Sequence, residues 1–99
     1  MYNAIVKYIF KEGVMNEGMT LWKNIVYSQI ISQPGFMRVQ AYSRPSINEF
    51  VAIGSWQNKE SAELFMRTGV FKLLMEHIKD FLEEDPVSGE YFLEAYEEA

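Results

Sequence analysis

Apolar residues recur at a period of two over Tyr2–Phe10, with Ala4, Val6, Tyr8 and Phe10 on one side and Ile5, Lys7 and Ile9 on the other. That period predicts a strand, and two largely apolar faces predict that both are covered. "KEG" at 11–13 breaks it. From Val14 to about Ile31 the apolar positions 14, 15, 18/19, 21, 22, 25, 26 and 30 follow a helical recurrence with a broad buried face. "SQPG" at 32–35 ends this helix, because Pro34 cannot continue it and Gly35 supplies a turn.

"FMRVQAYS" (36–43) and "EFVAIGSW" (49–56) then read as a hairpin around "RPSIN", where Pro45 and Asn48 suit a loop. Met37, Val39 and Ala41 oppose Phe36 and Tyr42, and Val51 and Ile53 oppose Phe50 and Ala52. "NKESAELFMR" (58–67) is a short helix, with Asn58 as N-cap and Glu60 in its first turn. Gly69 interrupts it. "VFKLLMEHIKDFLEE" (70–84) is a further helix, with Val70, Leu74, Ile78, Phe81 and Leu82 on one stripe; Pro86 stops it. "SGEYFLEAYEE" (88–98) closes the chain as a strand, apolar at Tyr91, Leu93 and Ala95.

The order β-α-β-β-(α)α-β predicts the ferredoxin-like, split β-α-β-β-α-β arrangement of the α+β class: a four-stranded antiparallel sheet with its helices on one face. The other face should then be polar, and it is not. Even a few hundred Å² of such surface, at about 25 cal/mol per Å², amounts to several kcal/mol. The expectation is a homodimer in which two open sheet faces pack back to back.

Composition reinforces this. The 99 residues make a single domain spanning 1–99, yet 48% are apolar and 15% aromatic, a surplus for so small an interior. A net charge of −5 argues against nucleic acid and against anionic membranes. Cysteine is absent, so there is no disulfide and no thiol nucleophile, and one histidine cannot build a histidine-rich metal centre. "MYNAIVKYIF" reads as a strand rather than a signal peptide, and no apolar run reaches membrane-spanning length. A soluble cytoplasmic protein is expected.

"PGF" opening the second strand, the strand-terminal Trp in "AIGSWQNKESAELF", and "TGVFKLLMEHI" together resemble the antibiotic biosynthesis monooxygenase domain, from about residue 3 to residue 96. The resemblance implies a dimeric α+β barrel. It also implies a cofactor-free monooxygenase, using neither metal nor flavin, in which an electron-rich aromatic or quinol-like substrate itself reduces O₂ inside an apolar cavity. A related branch degrades haem with an Asn, a Trp and a His whose positions fall here at Val6, Phe65 and Met75. All three groups are missing, and His77 lies about 200° around the helix from Met75. Haem degradation is disfavoured.

Candidate site residues follow. His77, the sole imidazole, shares a helix side with Val70, Leu73, Leu74 and Phe81; it is either a structural histidine or a base or substrate hydrogen-bond donor. Tyr8 and Tyr42, read as facing the helices, are candidate phenol donors. Trp56 either plugs the sheet–helix junction or walls a pocket with Phe65, Phe71, Leu74 and Val6. Arg38 either orients an anionic oxygen or makes a rim ion pair. Two functions from different classes therefore stand: the oxygenase, and a non-catalytic dimeric module that binds a small hydrophobic ligand or serves as a scaffold.

Overall fold

The computed structural model describes residues 1–92. Four strands, β1 (Tyr2–Ile9), β2 (Phe36–Arg44), β3 (Glu49–Trp56) and β4 (Val87–Phe92), form one sheet in the order β2-β3-β1-β4. Every neighbouring pair is antiparallel, as the ferredoxin-like topology requires. The last strand had been expected to run to 98; its part beyond 92 lies outside the described residues.

The long first helix runs over 15–30 but is not uniform. It comprises α1 (Met15–Trp22), a π segment (Lys23–Tyr27) and α2 (Ser28–Ile30). The Ser28 hydroxyl donates to the Asn24 carbonyl at 2.5 Å inside the widened turn, the kind of side-chain competition that loosens a helical ladder. Apolar periodicity cannot distinguish such a turn from ordinary helix.

After Pro34, Gly35 takes φ 80°, and a side chain there would run into the Ser61 hydroxyl. Its carbonyl accepts from the Gln57 N–H at 2.8 Å, tying the helix exit to the end of β3. A β-bulge follows between Phe36 and Arg38. Its extra residue shifts the parity of everything after it. Val39 and Ala41 therefore lie beside Gly54 and Ala52 on the helix side, while Arg38, Gln40 and Tyr42 lie with Ser55, Ile53 and Val51 on the open side. The expected grouping of Tyr42 with Phe36 is corrected by this single bulge.

Asn58 caps α3 (Lys59–Met66) as expected, its Oδ1 accepting from the Ser61 N–H at 2.9 Å. Gly69 at φ 85° turns the chain into α4 (Val70–Ile78). That helix was expected to reach 84, but it stops at Ile78 and gives way to a 3-10 turn over Lys79–Phe81. The end of β1 captures the chain there. Lys11 N–H donates to the Phe81 carbonyl and Glu83 N–H to the Ile9 carbonyl, both at 2.8 Å, and Phe10 bridges Leu82. These bonds offer the backbone an alternative to continuing the helix.

The core lies between the helices and one sheet face, where Trp22, Val26, Ile30, Phe65, Leu74 and Ile78 are buried against Tyr8, Phe50, Ala52 and Trp56. On the opposite face Ile5, Val51 and Ile53 are only half-covered. Tyr42, Val87 and Tyr91 on that face are each more than half exposed.

Candidate functional site

The cross-strand register explains why a hollow forms. On the helix side of β1 and β3 the paired rows are Tyr8–Phe50, Val6–Ala52, Ala4–Gly54 and Tyr2–Trp56. Bulky aromatic rows stand at both ends, and two rows of small residues lie between them. From Tyr8 to Tyr2 this floor runs about 20 Å along the strand. Val39 extends it onto β2. Above it, Trp22, Val26 and Ile30 recur four residues apart along the first helix, and Phe65, Met66, Phe71, Leu74 and Met75 descend from α3 and α4. The small floor residues cannot reach this roof. A partly open cavity of about 340 Å³ remains, with Pro86 and Ser88 of the β4 approach also on its wall.

Trp56 is both buried and on the cavity wall. It is 2% exposed, packs edge-on against Phe36 at 5.8 Å and lies tilted beside Phe65 at 5.5 Å; Phe65 continues to Phe71 at 5.7 Å. The same indole lines the cavity, with its Nε1 beside Gly54. This row accounts for the sequence signals physically. "PGF" delivers Phe36 to Trp56, and "TGVF" delivers Phe71 to Phe65.

At the other end stand Tyr8 and Trp22, each against Phe50, with ring centroids 5.9 and 5.3 Å away. Burial pushes the Tyr8 phenol far above its ordinary value, and the Trp22 indole acting on it as a hydrogen-bond partner pulls more weakly the other way. Tyr8 therefore stays protonated across any physiological pH. A phenol that keeps its proton can donate a hydrogen bond but cannot act as a base.

Val6, Tyr8, Trp56, Phe65, Phe71 and Leu74 are thus brought together on one cavity. His77, Tyr42 and Arg38 are not. His77 is exposed near the end of α4, with Nδ1 2.9 Å from the Leu73 carbonyl of its own helix. The buried stripe is Val70, Leu74 and Ile78, and Leu73, expected beside His77 on the buried side, is itself exposed. Tyr42 is 53% exposed on the open sheet face, where Gln40 Nε2 donates to its hydroxyl at 2.9 Å. Arg38 is exposed on that same face.

Val6, Phe65 and Met75, the positions where the haem-degrading branch carries its polar groups, all line the cavity and present only apolar surface. Among the described residues, no charged side chain lines the cavity. Among the described residues there is no cluster of three or more potential metal-binding His, Cys, Asp or Glu side chains, and no helix is long and apolar enough to cross a membrane.

Trp22 and Gly54 are lining residues that periodicity alone did not single out. The signals were available: a four-residue recurrence through Trp22, Val26 and Ile30, and a glycine inside a strand, which marks close approach.

No family model matches the sequence, and no curated protein does. Solved structures do match. A Nitrosomonas europaea protein, provisionally named an antibiotic biosynthesis monooxygenase, superposes with TM-score 0.82 at 21% identity, over 97% of this chain and 100% of that one. The monooxygenase from the ActVA-Orf6 gene of Streptomyces coelicolor, solved in complex with nanaomycin D, gives 0.80 at 14%, over 99% and 91%. A variant of SnoaB, a cofactor-independent oxygenase from Streptomyces nogalater, gives 0.77 at 14%, over 96% and 95%. The chain therefore has the ferredoxin-like α+β fold of the antibiotic biosynthesis monooxygenase structures.

Proposed function

We propose that the protein is a cofactor-free monooxygenase acting on a small aromatic or quinol-like metabolite bound in this cavity. The observation that carries the reading is an aromatic slot about 340 Å³ in volume, with no charged side chain among its described lining residues and a protonated phenol at one end. That volume lies at the small end of the roughly 300–1,000 Å³ typical of small-molecule sites. Aromatic walls position a flat ring system and exclude water, and the Tyr8 hydroxyl meets an oxygen on which negative charge develops. The substrate supplies the electrons: one oxygen atom of O₂ ends in the product and the other leaves as water. With no basic side chain among the described wall residues, the substrate's proton passes to water at the mouth, so the substrate must itself be acidic.

Fold neighbours that include a cofactor-independent oxygenase and a monooxygenase holding a small ligand support this reading. The half-covered apolar face around Ile5, Val51 and Ile53 supports a homodimer through the open sheet. The lack of a base among the described wall residues favours a second reading, a non-catalytic module that binds a small hydrophobic ligand. Turnover of naphthalene-1,4-diol with and without O₂ separates the two. Protein-dependent product formation that stops when oxygen is removed supports the oxygenase, and turnover indifferent to oxygen rules it out.

A further inference from the structure

Exposure is uneven around the cavity wall. Trp22, Val26, Ala52, Trp56 and Leu74 are buried, whereas Met66 is 43% exposed, Ser88 is exposed, and Phe71, Met75 and Pro86 are half-covered. The cavity therefore opens between the corner of α3 and α4 on one side and the approach to β4 on the other. Two of the chain's six methionines, Met66 and Met75, stand on the helical side of that mouth. None of the other four is among the described lining residues: Met15 is buried, Met19 packs against the core, and Met1 and Met37 are exposed elsewhere.

Phe71 and Met75 are four residues apart on α4, so their side chains share one helix face. Met66 directly follows Phe65, whose ring packs edge-on against Phe71 at 5.7 Å. An intact thioether is apolar and polarisable and suits an aromatic wall. Its sulfoxide carries a polar oxygen that an apolar ligand would have to strip of water.

We propose that Met66 and Met75 form a peroxide-sensitive rim, whose conversion to methionine sulfoxide weakens the cavity's hold on apolar ligands and whose reduction restores it. The oxidant is a hydroperoxide, in the simplest case hydrogen peroxide. A sulfur lone pair attacks one peroxide oxygen, and the O–O bond breaks as the S–O bond forms. The proton of the attacked oxygen passes to the other, which leaves as water, so sulfur is oxidised and peroxide reduced. A quinol oxidised by O₂ without oxygen transfer releases hydrogen peroxide, which would meet this rim on its way out of the slot. The proposal rests on the reading of the cavity as the ligand site and requires no turnover.

Brief treatment with hydrogen peroxide, followed by peptide mass spectrometry and equilibrium dialysis with naphthalene, tests it. Met66 and Met75 should oxidise well ahead of Met15, and saturating naphthalene should slow Met75 without slowing Met37. Protein oxidised at both rim positions, with Met15 intact, should bind naphthalene about fivefold more weakly than its untreated form, the low end of what an imperfectly solvated polar group costs. The two methionine sulfoxide reductases, one for each sulfoxide epimer, should restore the affinity. Each variant is compared with its own untreated form. Met66→Leu/Met75→Leu keeps the wall apolar and should bind equally before and after peroxide, whereas Met37→Leu should show the full wild-type loss.

Oxidation of the rim no faster than that of Met15, or no protection of Met75 by naphthalene, overturns the proposal and leaves the cavity reading intact. So does an affinity unchanged once both are oxidised, a loss that the reductases do not reverse, or one that persists in Met66→Leu/Met75→Leu. A loss accompanied by collapse of the cooperative melting transition overturns it as well, because the effect is then not local to the rim. Failure of naphthalene to bind the untreated protein removes the cavity reading and the proposal together. Peroxide-sensitive binding without oxygen uptake removes only the oxygenase.

Discussion

Trp56 and Tyr8 are both strand aromatics facing the helices, yet they do different things because of what surrounds them. Trp56 sits in a row of rings and supplies packing. Replacing it with alanine should cost about 3–5 kcal/mol, as large aromatic truncations in cores do, read by denaturant unfolding. Tyr8 supplies a polar atom in an apolar enclosure, and its signature is in the pH dependence. A phenol whose value is raised by folding contributes stability that is fully present below the unfolded value, about 10, and is lost as pH climbs beyond it. Wild type should therefore lose stability above about pH 10 more steeply than Tyr8→Phe, in paired unfolding curves between pH 8 and 11. Equal slopes would show that the phenol is not desolvated as described. His77, exposed and bonded to its own helix, should be dispensable: His77→Ala should change stability by less than about 0.5 kcal/mol and leave ligand affinity unaltered.

Among the elements, the strands and the two short helices were legible in the sequence, whereas the facing of β2 was not. Asn58 and Gly69 announced their helix boundaries because each does a local job, a cap and a left-handed turn, that needs no tertiary partner. Asn58→Ala should cost about 1 kcal/mol, the usual worth of such a cap, with the cavity undisturbed. The bulge at Phe36–Arg38 has no compositional mark. It is imposed by the need to seat Phe36 on Trp56 while the rest of β2 pairs with β3, so alternation pointed Tyr42 the wrong way. The π segment and the early end of α4 escaped for a similar reason, since both depend on contacts distant in sequence or on hydroxyls whose partner is settled only in three dimensions. The cavity was visible only as a set of aromatic candidates. Six of the nine meet on it, and what joins them is the small floor of Ala4, Ala52 and Gly54, whose meaning emerges only when strand register places them side by side. Gly54→Ala tests that floor. Its new methyl would lie 3.2 Å from Trp56 Nε1 and 3.5 Å from Ile30 Cδ1, so the chain should still fold while naphthalene affinity drops several-fold in equilibrium dialysis.

For the molecule as a whole, one sheet face is roofed by helices and the other is not, although Ile5, Val51 and Ile53 make its centre apolar. A second copy placed against it would bury the patch and add the interior that so short a chain lacks. Light scattering coupled to size exclusion should return twice the 11.6 kDa chain mass. Replacing Ile53 with lysine should convert that species to a less stable monomer. A wild-type monomer would show that the open face is simply solvated.

The proposed function depends on the slot between sheet and helices being a place where chemistry happens rather than an imperfectly packed core. Ala52 lies in the middle of its floor, and Ala52→Leu fills the space from below without touching Tyr8 or Trp56 chemically. Oxygen uptake with naphthalene-1,4-diol, above the rate of autoxidation and at matched melting temperature, is the decisive comparison. The wild-type protein should show saturable uptake that falls at least about tenfold in Ala52→Leu. Uptake that is the same in both proteins, or no greater than in buffer, would contradict the account.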